Sequence, residues 1–568
     1  MLMRQGHCWG PGAGRSGARS AAAVAAAPLR TTSAAPRGAA VRRLRAVPAE
    51  SAKDAKEAPA DPAKGGNGSE AAAAPAAEAI PYIATPYASG RVKASTDEEY
   101  IDLLECKTLR HKLTPRPSPF TKDNNAGAGF VGDTDRIRLH TVEYESEASS
   151  GAACSNGVVA GTDEDTCLAL PEWAIRSGPR KTVYFDPEKV TAAIVTCGGL
   201  CPGLNDVVQN IVFTLTDYGV PEDQILGIKY GLRGFYDRDS KPVTLTRRAV
   251  DGIHLKGGTV LGTSRGGANI REIVRRIDLW GLDMVFVVGG NGGNAAANAI
   301  QEEVARQDVG CVVVGVPKSI DNDILLIDKC FGFDTAVEEA QHALLAAKVE
   351  ATSGCRGLGI VKLMGRNSGF IAMQASMASG VVDVCLIPEI KFEMEKLLAH
   401  VESVLDRKGH AVVCVAEGAG QDLFATEGNS ATDASGNAIL KDIGIYLRDT
   451  FKSRFKDQAD IKGGAPVDAE WLTVPSACLP ACRAQYIDPS YLIRSIPTTS
   501  NDRIYCKVLG QGAVHGAFSG YTGFCTGLVN THYVYLPIET IIQAPRKVNP
   551  TGRRWNRLKT AINQPDLV

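Results

Sequence analysis

Short runs of apolar residues alternate along the chain with longer segments in which apolar positions recur every three to four residues. The runs are rich in β-branched residues, which predicts strands that are buried on both faces. They lie at 190–196, 284–288, 311–314, 358–363, 382–387 and 411–416. Strands separated by helices predict a mainly parallel sheet with right-handed crossovers, so the loops that follow these strands should converge at one edge.

The segments between the runs predict helices. The first has apolar residues at helical spacing from Leu204 to Leu215, and the others are predicted at 295–305, 335–347, 394–408 and 505–518. The alternation fits two similar three-layer α/β lobes with mainly parallel sheets. We interpret His515, on the last helix, as a packing or capping residue rather than a catalytic group.

The N-terminal part of the chain has a different composition. Residues 1–48 are rich in Ala, Arg, Ser and Gly, and the first acidic residue is Glu50. This composition predicts a transit peptide, with a chloroplast favoured over a mitochondrion. The alternative is a low-complexity tail without a targeting function. Residues 49–80 are predicted to be a disordered linker because they cannot bury a core. We predict an irregular extension over 81–185 and the catalytic region over 186–560.

Composition narrows the classes of partner. The net charge is −1, so no basic excess points to nucleic acid, and no stretch of about 20 apolar residues predicts a membrane span. Several of the 15 cysteines lie inside apolar strands, and no paired CxxC pattern indicates a zinc site. Cys154 and Cys167 lie in a polar stretch and are candidates for a regulatory disulfide.

Glycine-rich turns follow the predicted strands. The turns at 198–203 and 289–294 each lie between a strand and a helix, where backbone N–H groups can approach a phosphate without interference from Cβ atoms. A third glycine-rich stretch, 257–267, contains Arg265, whose planar fork of donors suits phosphoryl oxygens. Packing turns and a solvated loop are the competing interpretations.

Two carboxylates follow the 311–314 strand, at Asp321 and Asp323. Open α/β sheets bind ligands at the carboxyl ends of their strands. One carboxylate can take a proton from a substrate hydroxyl while the other lies near a metal–nucleotide. The alternative is a turn that caps the next helix, since Asp and Asn favour such positions.

Taken together, the segments GGLCPGLND, GGTVLGTSRGG, PKSIDND, KLMGRNSGF, AEGAGQD and YLIRS resemble, in order and approximate spacing, the ATP-dependent 6-phosphofructokinases of the plant and algal type. The resemblance spans residues 180–541. It implies the glycolytic transfer of the ATP γ-phosphoryl group to the 1-hydroxyl of fructose 6-phosphate, with Mg²⁺ as cofactor, in an allosteric homo-oligomer, a tetramer by family resemblance.

The resemblance also assigns roles to individual positions. It implies catalytic roles for Asp321, Asp323 and Arg366. It implies ATP-phosphate contacts at Gly199, Arg265, Gly266, Gly290, Asn291, Gly292 and Gly293. It implies sugar-phosphate contacts at Ser319, Ile320, Asp321, Met364, Gly365, Arg366, Glu417, Tyr491, Leu492, Ile493 and Arg494. Arg503 resembles, more loosely, the second arginine of a bacterial sugar-phosphate pair.

The chain departs from the family pattern at two of these positions. Asn291 stands where the family has a metal-binding Asp, and a neutral amide brings no charge to Mg²⁺. Ser319 replaces a Thr and keeps the hydroxyl. Gly292 favours ATP as donor, whereas Lys318 resembles both pyrophosphate-using and plant-type ATP enzymes. The alternatives are a catalytically weak regulatory or scaffold subunit and, less consistent with the motifs, an NAD or diacylglycerol kinase.

Overall fold

The computed structural model describes residues 103–120, 129–139, 157–162, 164–169, 171–266, 268–427, 432, 439–456 and 483–568. These residues belong to one unit of the chain, Ile83–Val568. The predicted transit peptide (1–48), the predicted linker (49–80) and Cys154 lie outside the described residues, as does the side chain of Cys167. The Cys154–Cys167 disulfide therefore stays a prediction.

The predicted buried strands are present, with boundaries shifted by up to three residues. The strands of the described residues, in chain order, are β1 (Leu103–Leu104), β2 (Lys107–Thr108), β3 (Arg116–Pro117), β4 (Arg136–Arg138), β5 (Gly157–Thr162), β6 (Glu164–Ala169), β7 (Trp173–Arg176), β8 (Thr182–Val183), β9 (Ala192–Thr196), β10 (Ile225–Ile228), β11 (Val243–Thr244), β12 (Met284–Gly289), β13 (Val312–Pro317), β14 (Gly357–Leu363), β15 (Val384–Leu386), β16 (His410–Ala416), β17 (Ala484–Ile487), β18 (Tyr521–Thr522), β19 (Phe524–Val529) and β20 (His532–Pro537).

Two sheets organise the described part of the chain. The larger has ten strands in the order β1-β7-β20-β19-β13-β12-β9-β10-β11, with β4 paired to β7. Its centre, from β19 to β10, is parallel. The smaller sheet is parallel throughout, in the order β15-β16-β14-β17. Two α/β lobes with mainly parallel sheets are therefore confirmed, although the sheets differ in size.

Helices connect the strands and cover the sheets. They are α1 (Leu204–Tyr218), α2 (Ile270–Leu279), α3 (Asn291–Arg306), α4 (Phe333–Thr352), α5 (Phe370–Ser379), α6 (Met394–Lys408), α7 (Ile443–Lys456), α8 (Ser500–Phe518), α9 (Ile538–Ile541) and α10 (Arg553–Ile562). The predicted start of α3 at residue 295 was wrong, because the helix begins four residues earlier. The residues at 291–294 are thus its first turn, and the backbone N–H groups of 291–293 are free donors of a helix N-terminus, whereas that of Asn294 donates to the Gly290 carbonyl at 2.8 Å.

The central strands bury both faces, as their continuous apolar sequence predicts. Along β12, Phe286 and Val288 join the core cluster that contains Leu204 of α1, whereas Val285 and Val287 join the cluster on the opposite face. This two-residue alternation is the pleat of the strand. Helices therefore pack on both sides of the sheet, and the loops at the strand ends remain available for binding a ligand.

The segment predicted to be an irregular extension is in part regular. Strands β1, β4 and β7 extend the large sheet, and Ile175 of β7 lies opposite Tyr535 of β20. These strands are two to four residues long, too short for a periodic signal. The boundary that we predicted at residue 185 therefore does not separate the described part of the extension from the catalytic fold.

His515 is a packing residue, as predicted. It is buried on α8, and the Tyr218 hydroxyl lies 2.8 Å from its Nδ1. Burial lowers its pKa to about 3, so the ring is neutral at physiological pH.

Among the helices of the described part, none is both long and apolar enough to cross a bilayer.

Candidate active site

The loop after β13 carries the two predicted carboxylates in different environments. Asn322 stands between them with φ +55°, in the left-handed region that Asn tolerates better than most residues. Its Nδ2 donates to the Asp328 carbonyl at 3.3 Å, and its Oδ1 accepts from the Cys330 N–H at 2.8 Å. These bonds hold the loop in one shape, as expected of an Asn in a turn.

Asp323 is held by neutral donors. The Ser319 hydroxyl donates to its Oδ1 at 2.5 Å, and the Asn291 amide Nδ2 donates to its Oδ2 at 2.9 Å. Its backbone carbonyl accepts from the Arg546 N–H at 2.8 Å. Arg546 comes from the C-terminal segment, and its contact with this loop had no signal in the local sequence pattern. Asp323 is therefore fixed at both its side chain and its backbone.

Asp321, in contrast to Asp323, lacks a hydrogen-bond donor to one of its carboxylate oxygens among the described residues. Its Oδ1 is buried and has no hydrogen-bond partner among the described residues. Burial raises the pKa of this carboxyl to about 8, with the nearby charges of Asp323 and Glu417 acting in the same direction and those of Lys318 and Arg366 opposing it. A buried carboxyl that titrates near neutral pH and has an unused oxygen is suited to exchange a proton with a ligand.

Two glycine-rich segments meet beside β9. The Gly198 N–H donates to the Ser264 carbonyl at 3.0 Å, and the Thr263 hydroxyl donates to the Gly198 carbonyl at 2.7 Å. A Cβ atom on Gly199 would lie 3.2 Å from Nη2 of Arg265. The structure thus brings Gly199 and Arg265 together, and the neighbouring Gly266 is exposed with φ +65°.

The N-terminus of α3 forms a second cradle. Gly290 is its N-cap, and a Cβ atom there would lie 3.0 Å from the Lys318 carbonyl. A Cβ atom on Gly293 would lie 2.7 Å from Cys197 Sγ, so a side chain at either position would displace its neighbour. At Gly292 a Cβ atom would meet nothing within 4 Å. The free N–H groups and the helix dipole favour an anion here.

Lys318 links the two cradles and was missing from the predicted site. Its side chain is buried, and its Nζ lies 3.5 Å from the Cβ position at Gly198 and 3.9 Å from that at Gly290. The ammonium group therefore adds a positive charge between two backbone anion sites. Its place one residue after a strand end, beside Ser319, was the signal that could have identified it.

The loop after β14, in the lobe with the smaller sheet, lies beside the loop that carries Asp321. The Ser368 hydroxyl donates to the Asp321 carbonyl at 3.0 Å. The Gly418 N–H donates to the Gly365 carbonyl at 3.1 Å, and a Cβ atom on Gly418 would lie only 1.9 Å from the Arg366 carbonyl. This close backbone contact requires glycine and fixes the loop that carries Met364, Gly365 and Arg366.

Glu417 lies where β16 ends, and its N–H donates to the Leu363 carbonyl at 2.9 Å. Burial raises the pKa of its carboxyl, whereas the charges of Arg366, Lys362 and Arg494 act to lower it. An acceptor flanked by cations in this way can receive a hydroxyl proton in a hydrogen bond while the arginines bind anions.

Residues 491–494 differ in how far their side chains are buried. Ile493 is fully buried and anchors the segment, whereas Tyr491 and Leu492 are 73% and 69% exposed. The guanidinium carbon of Arg494 lies 4.8 Å from the Tyr491 ring centroid, and its Nε is buried without a partner among the described residues. Arg503 does not extend this group, because it bonds the Thr498 carbonyl at 2.9 Å and lies beside Asp206.

The donor set suits a hard cation only in part. Asp321, Asp323 and Asn291 offer carboxylate and amide oxygens, which Mg²⁺ prefers. Within the described ranges, however, no three Asp, Glu, His or Cys side chains are grouped closely enough to hold a metal ion by themselves. The residues therefore fit a cation that is also coordinated by a ligand, such as a nucleotide phosphate.

Comparisons with known proteins identify the family of this chain. The phosphofructokinase family model matches residues 191–517. An ATP-dependent 6-phosphofructokinase 5, chloroplastic, of Arabidopsis thaliana is 49% identical over 443 residues, 78% of this chain and 76% of the relative. An ATP-dependent 6-phosphofructokinase of Borreliella burgdorferi is 40% identical over 401 residues, 69% of this chain and 85% of the relative.

Solved structures extend the comparison to the fold. The pyrophosphate-dependent phosphofructokinase of Marinobacter aquaeolei matches with a TM-score of 0.52 at 18% identity, covering 66% of this chain and 91% of that one. The pyrophosphate-dependent phosphofructokinase of Nitrosospira multiformis matches with a TM-score of 0.51 at 17% identity, covering 67% and 96%. At these identities the likeness shows the fold alone.

Proposed function

This chain belongs to the phosphofructokinase family and is a kinase of the ATP-dependent type; on that premise we propose that it transfers the γ-phosphoryl group of ATP to the 1-hydroxyl of fructose 6-phosphate. The products are fructose 1,6-bisphosphate and ADP. The observation that carries the proposal is the unpaired, buried Oδ1 of Asp321, which lies where two anion cradles and an arginine-bearing loop converge.

Asp321 acts as the general base in this proposal. The 1-hydroxyl gives its proton to the carboxylate as the hydroxyl oxygen bonds to the γ-phosphorus and the bond to the β–γ bridging oxygen breaks. A base is most effective when its pKa lies near the working pH. Burial and the neighbouring Asp323 raise the pKa of Asp321 into that range, and Ser368 holds its backbone in place.

The nucleotide phosphates bind at the glycine cradles. Phosphoryl transfer depends mainly on positioning and on neutralising the charge of the transferred group. Gly199 and Gly290 allow the backbone to approach the phosphates, the N-terminus of α3 supplies N–H donors, and Arg265 and Lys318 supply positive charge. Gly266 and Gly293 keep the same surface free of side chains.

The sugar phosphate binds between the loops of the two lobes. Arg494 supplies a guanidinium with an unused Nε for the 6-phosphate, and Arg366 adds a second cation toward the reacting groups. Glu417 accepts a hydrogen bond from a sugar hydroxyl. Ile320 and Ile493 are buried, and their proposed role is to hold the segments that carry the polar contacts.

Magnesium completes the proposed site. Asp323 and Asp321 are the residues that would hold it, with the neutral amide oxygen of Asn291 beside them. When bound, Mg²⁺ neutralises charge on the phosphate oxygens and so lowers the barrier to transfer. The chain's own contribution is to hold Asp323 through Ser319 and Asn291.

The open space at Gly292 supports ATP as the donor. A side chain at this position would project from the first turn of α3 into the space that the rest of a nucleotide needs, and no described atom lies within 4 Å of its Cβ position. Pyrophosphate does not need that space. We therefore propose that the chain uses ATP in preference to pyrophosphate.

A coupled assay tests the proposal directly. The purified chain is given fructose 6-phosphate and Mg²⁺ with either ATP or pyrophosphate, and we expect turnover with ATP. Turnover with pyrophosphate alone would contradict the donor assignment. No turnover with either, together with turnover by Asn291→Asp, would instead support the alternative of a catalytically weak regulatory subunit.

Assembly and location complete the proposal. We propose a homo-oligomer, a tetramer by family resemblance, in the chloroplast stroma, since relatives named chloroplastic are among the most similar sequences. Light scattering of the purified protein measures the mass of the assembly. A fluorescent fusion to residues 1–80 reports the compartment, and a mitochondrial signal would contradict the plastid assignment.

A further inference from the structure

The contact between Asn291 and Asp323 is unusual for a proposed metal site, because an amide donates a hydrogen bond to a carboxylate there. The Asn291 side chain lies against Asp323, with Nδ2 2.9 Å from Oδ2 and 3.4 Å from the backbone carbonyl. The orientation of this amide is determined by its partners, because the alternative would place the amide oxygen against two other acceptors. Asn291 therefore acts as a hydrogen-bond donor to the carboxylate.

Both partners of this contact are held in place. Asn291 is the first residue of α3, directly after the N-cap Gly290. The backbone carbonyl of Asp323 accepts from the Arg546 N–H at 2.8 Å, and the hydroxyl of Ser319 donates to its other carboxylate oxygen at 2.5 Å. Each carboxylate oxygen of Asp323 thus has one neutral donor. The geometry results from the fold around it rather than from a flexible surface pair.

A carboxylate at position 291 would have the opposite effect. Two carboxylates at this separation repel each other, and a divalent cation that bridges them removes the repulsion. An amide provides attraction without any cation. We propose that Asn291 is a positioning residue that replaces a bridging metal ion by hydrogen-bonding Asp323, so that this pair of side chains needs no divalent cation when the nucleotide is absent.

This inference rests on the proposed function for its ligand, the metal–nucleotide. It agrees with the lack of any cluster of three metal-binding side chains in the described ranges.

The test measures metal binding without turnover. The probe is Mn²⁺, followed by electron paramagnetic resonance in the absence of nucleotide, and the variant is Asn291→Asp. We expect no saturable Mn²⁺ binding to the wild type up to about 1 mM, and at least about tenfold tighter binding to the variant, since added ligand charge tightens divalent-cation sites. Thermal unfolding provides the second measurement.

In the unfolding experiment the variant should be less stable than the wild type in EDTA. Adding about 10 mM Mg²⁺ should raise the Tm of the variant by about 2 °C or more and leave that of the wild type unchanged. The matched control is Asn298→Asp, which places a carboxylate near Glu302 on the outer surface of the same helix, where its amide donates at 2.8 Å. This control should show no Mg²⁺ dependence, because solvent screens that pair.

A third variant separates charge from structure. Asn291→Ala removes the donor without adding a carboxylate, so we expect lower stability in EDTA and no gain from Mg²⁺. Saturable Mn²⁺ binding to the wild type without nucleotide would overturn the inference even if no variant folds. A metal-independent Asn291→Asp variant would overturn it as well.

The kinase assay keeps the two proposals apart. A wild type that phosphorylates fructose 6-phosphate but binds Mn²⁺ by itself retains the proposed function and loses this inference. A wild type without kinase activity, whose Asn291→Asp variant gains metal-dependent stability, retains the inference and loses the function.

Discussion

Replacing Asp321 by asparagine separates the catalytic and the structural effects of the buried carboxylate. The substitution preserves shape and removes the ability to accept a proton. Loss of a general base lowers kcat by about 10²–10⁴-fold, or about 3–5 kcal/mol in the barrier. Because the proposed contacts with the sugar phosphate are made mainly by Arg494 and Glu417, the KM for fructose 6-phosphate should change little.

The Asp321→Asn variant should be more stable to unfolding than the wild type, and this difference should depend on pH. The carboxyl of Asp321 titrates near 4 in the unfolded chain and at about 8 in the folded protein because of burial. The stability that it contributes is therefore fully present below about pH 4 and is lost as the pH rises through the folded pKa. The amide of the Asp321→Asn variant does not titrate, so the variant avoids this loss.

The magnitude follows from the same shift. A tenfold change in an ionisation constant corresponds to about 1.4 kcal/mol. That shift already includes the opposing charges of Lys318 and Arg366. The partial exposure of the residue reduces the effect, so we expect a gain of about 1–3 kcal/mol at pH 8. This corresponds to a rise in Tm of about 2–12 °C if the lobes unfold separately. At pH 5 the gain should be much smaller.

The assay is thermal unfolding of both proteins from pH 5 to pH 8 in EDTA and without nucleotide, together with steady-state kinetics. Asp278→Asn, at an exposed position near the end of α2, is the matched control and should change neither quantity. A Tm difference between wild type and Asp321→Asn that stays constant across this pH range would refute the reasoning about burial. An unchanged kcat would refute the assignment of the base.

Four further changes test other parts of the structure. Gly203→Ala should destabilise the protein by about 2–4 kcal/mol in chemical denaturation, because this residue has φ +101° and its added Cβ would lie 2.5 Å from a cysteine sulfur. Gly292→Asp should raise the KM for ATP by about tenfold or more, measured in the coupled assay, because it places a negative side chain at the phosphate end of α3; an unchanged KM would contradict the proposed phosphate position. Arg494→Lys should raise the KM for fructose 6-phosphate about tenfold with little effect on ATP, since an ammonium cannot form the paired hydrogen bonds of a guanidinium. Tyr218→Phe should cost about 1–2 kcal/mol in unfolding free energy by leaving Nδ1 of the buried His515 unpaired, and equal kcat values would confirm that this histidine is structural.

The sequence by itself determined the strands, most helices and the identity of the glycine loops. These features are local: a buried parallel strand needs a continuous apolar run, a helix needs its 3.6-residue period, and a phosphate cradle needs glycine between a strand and a helix. Asp321 and Asp323 could be identified because they directly follow such a strand. The boundary of α3 was misplaced because Asn and Gly are weak helix formers, and the first turn of this helix consists of them.

The tertiary structure alone decided how these residues act on one another. Strands β12 and β13 pair in parallel with Gly289 opposite Pro317, which places Asn291 beside Asp323 although they are 32 positions apart. Arg546 reaches the same loop from a distant part of the chain. The raised pKa of Asp321 needs burial and the charges of both lobes. Such effects depend on strand register and distances in space, which a linear pattern does not contain.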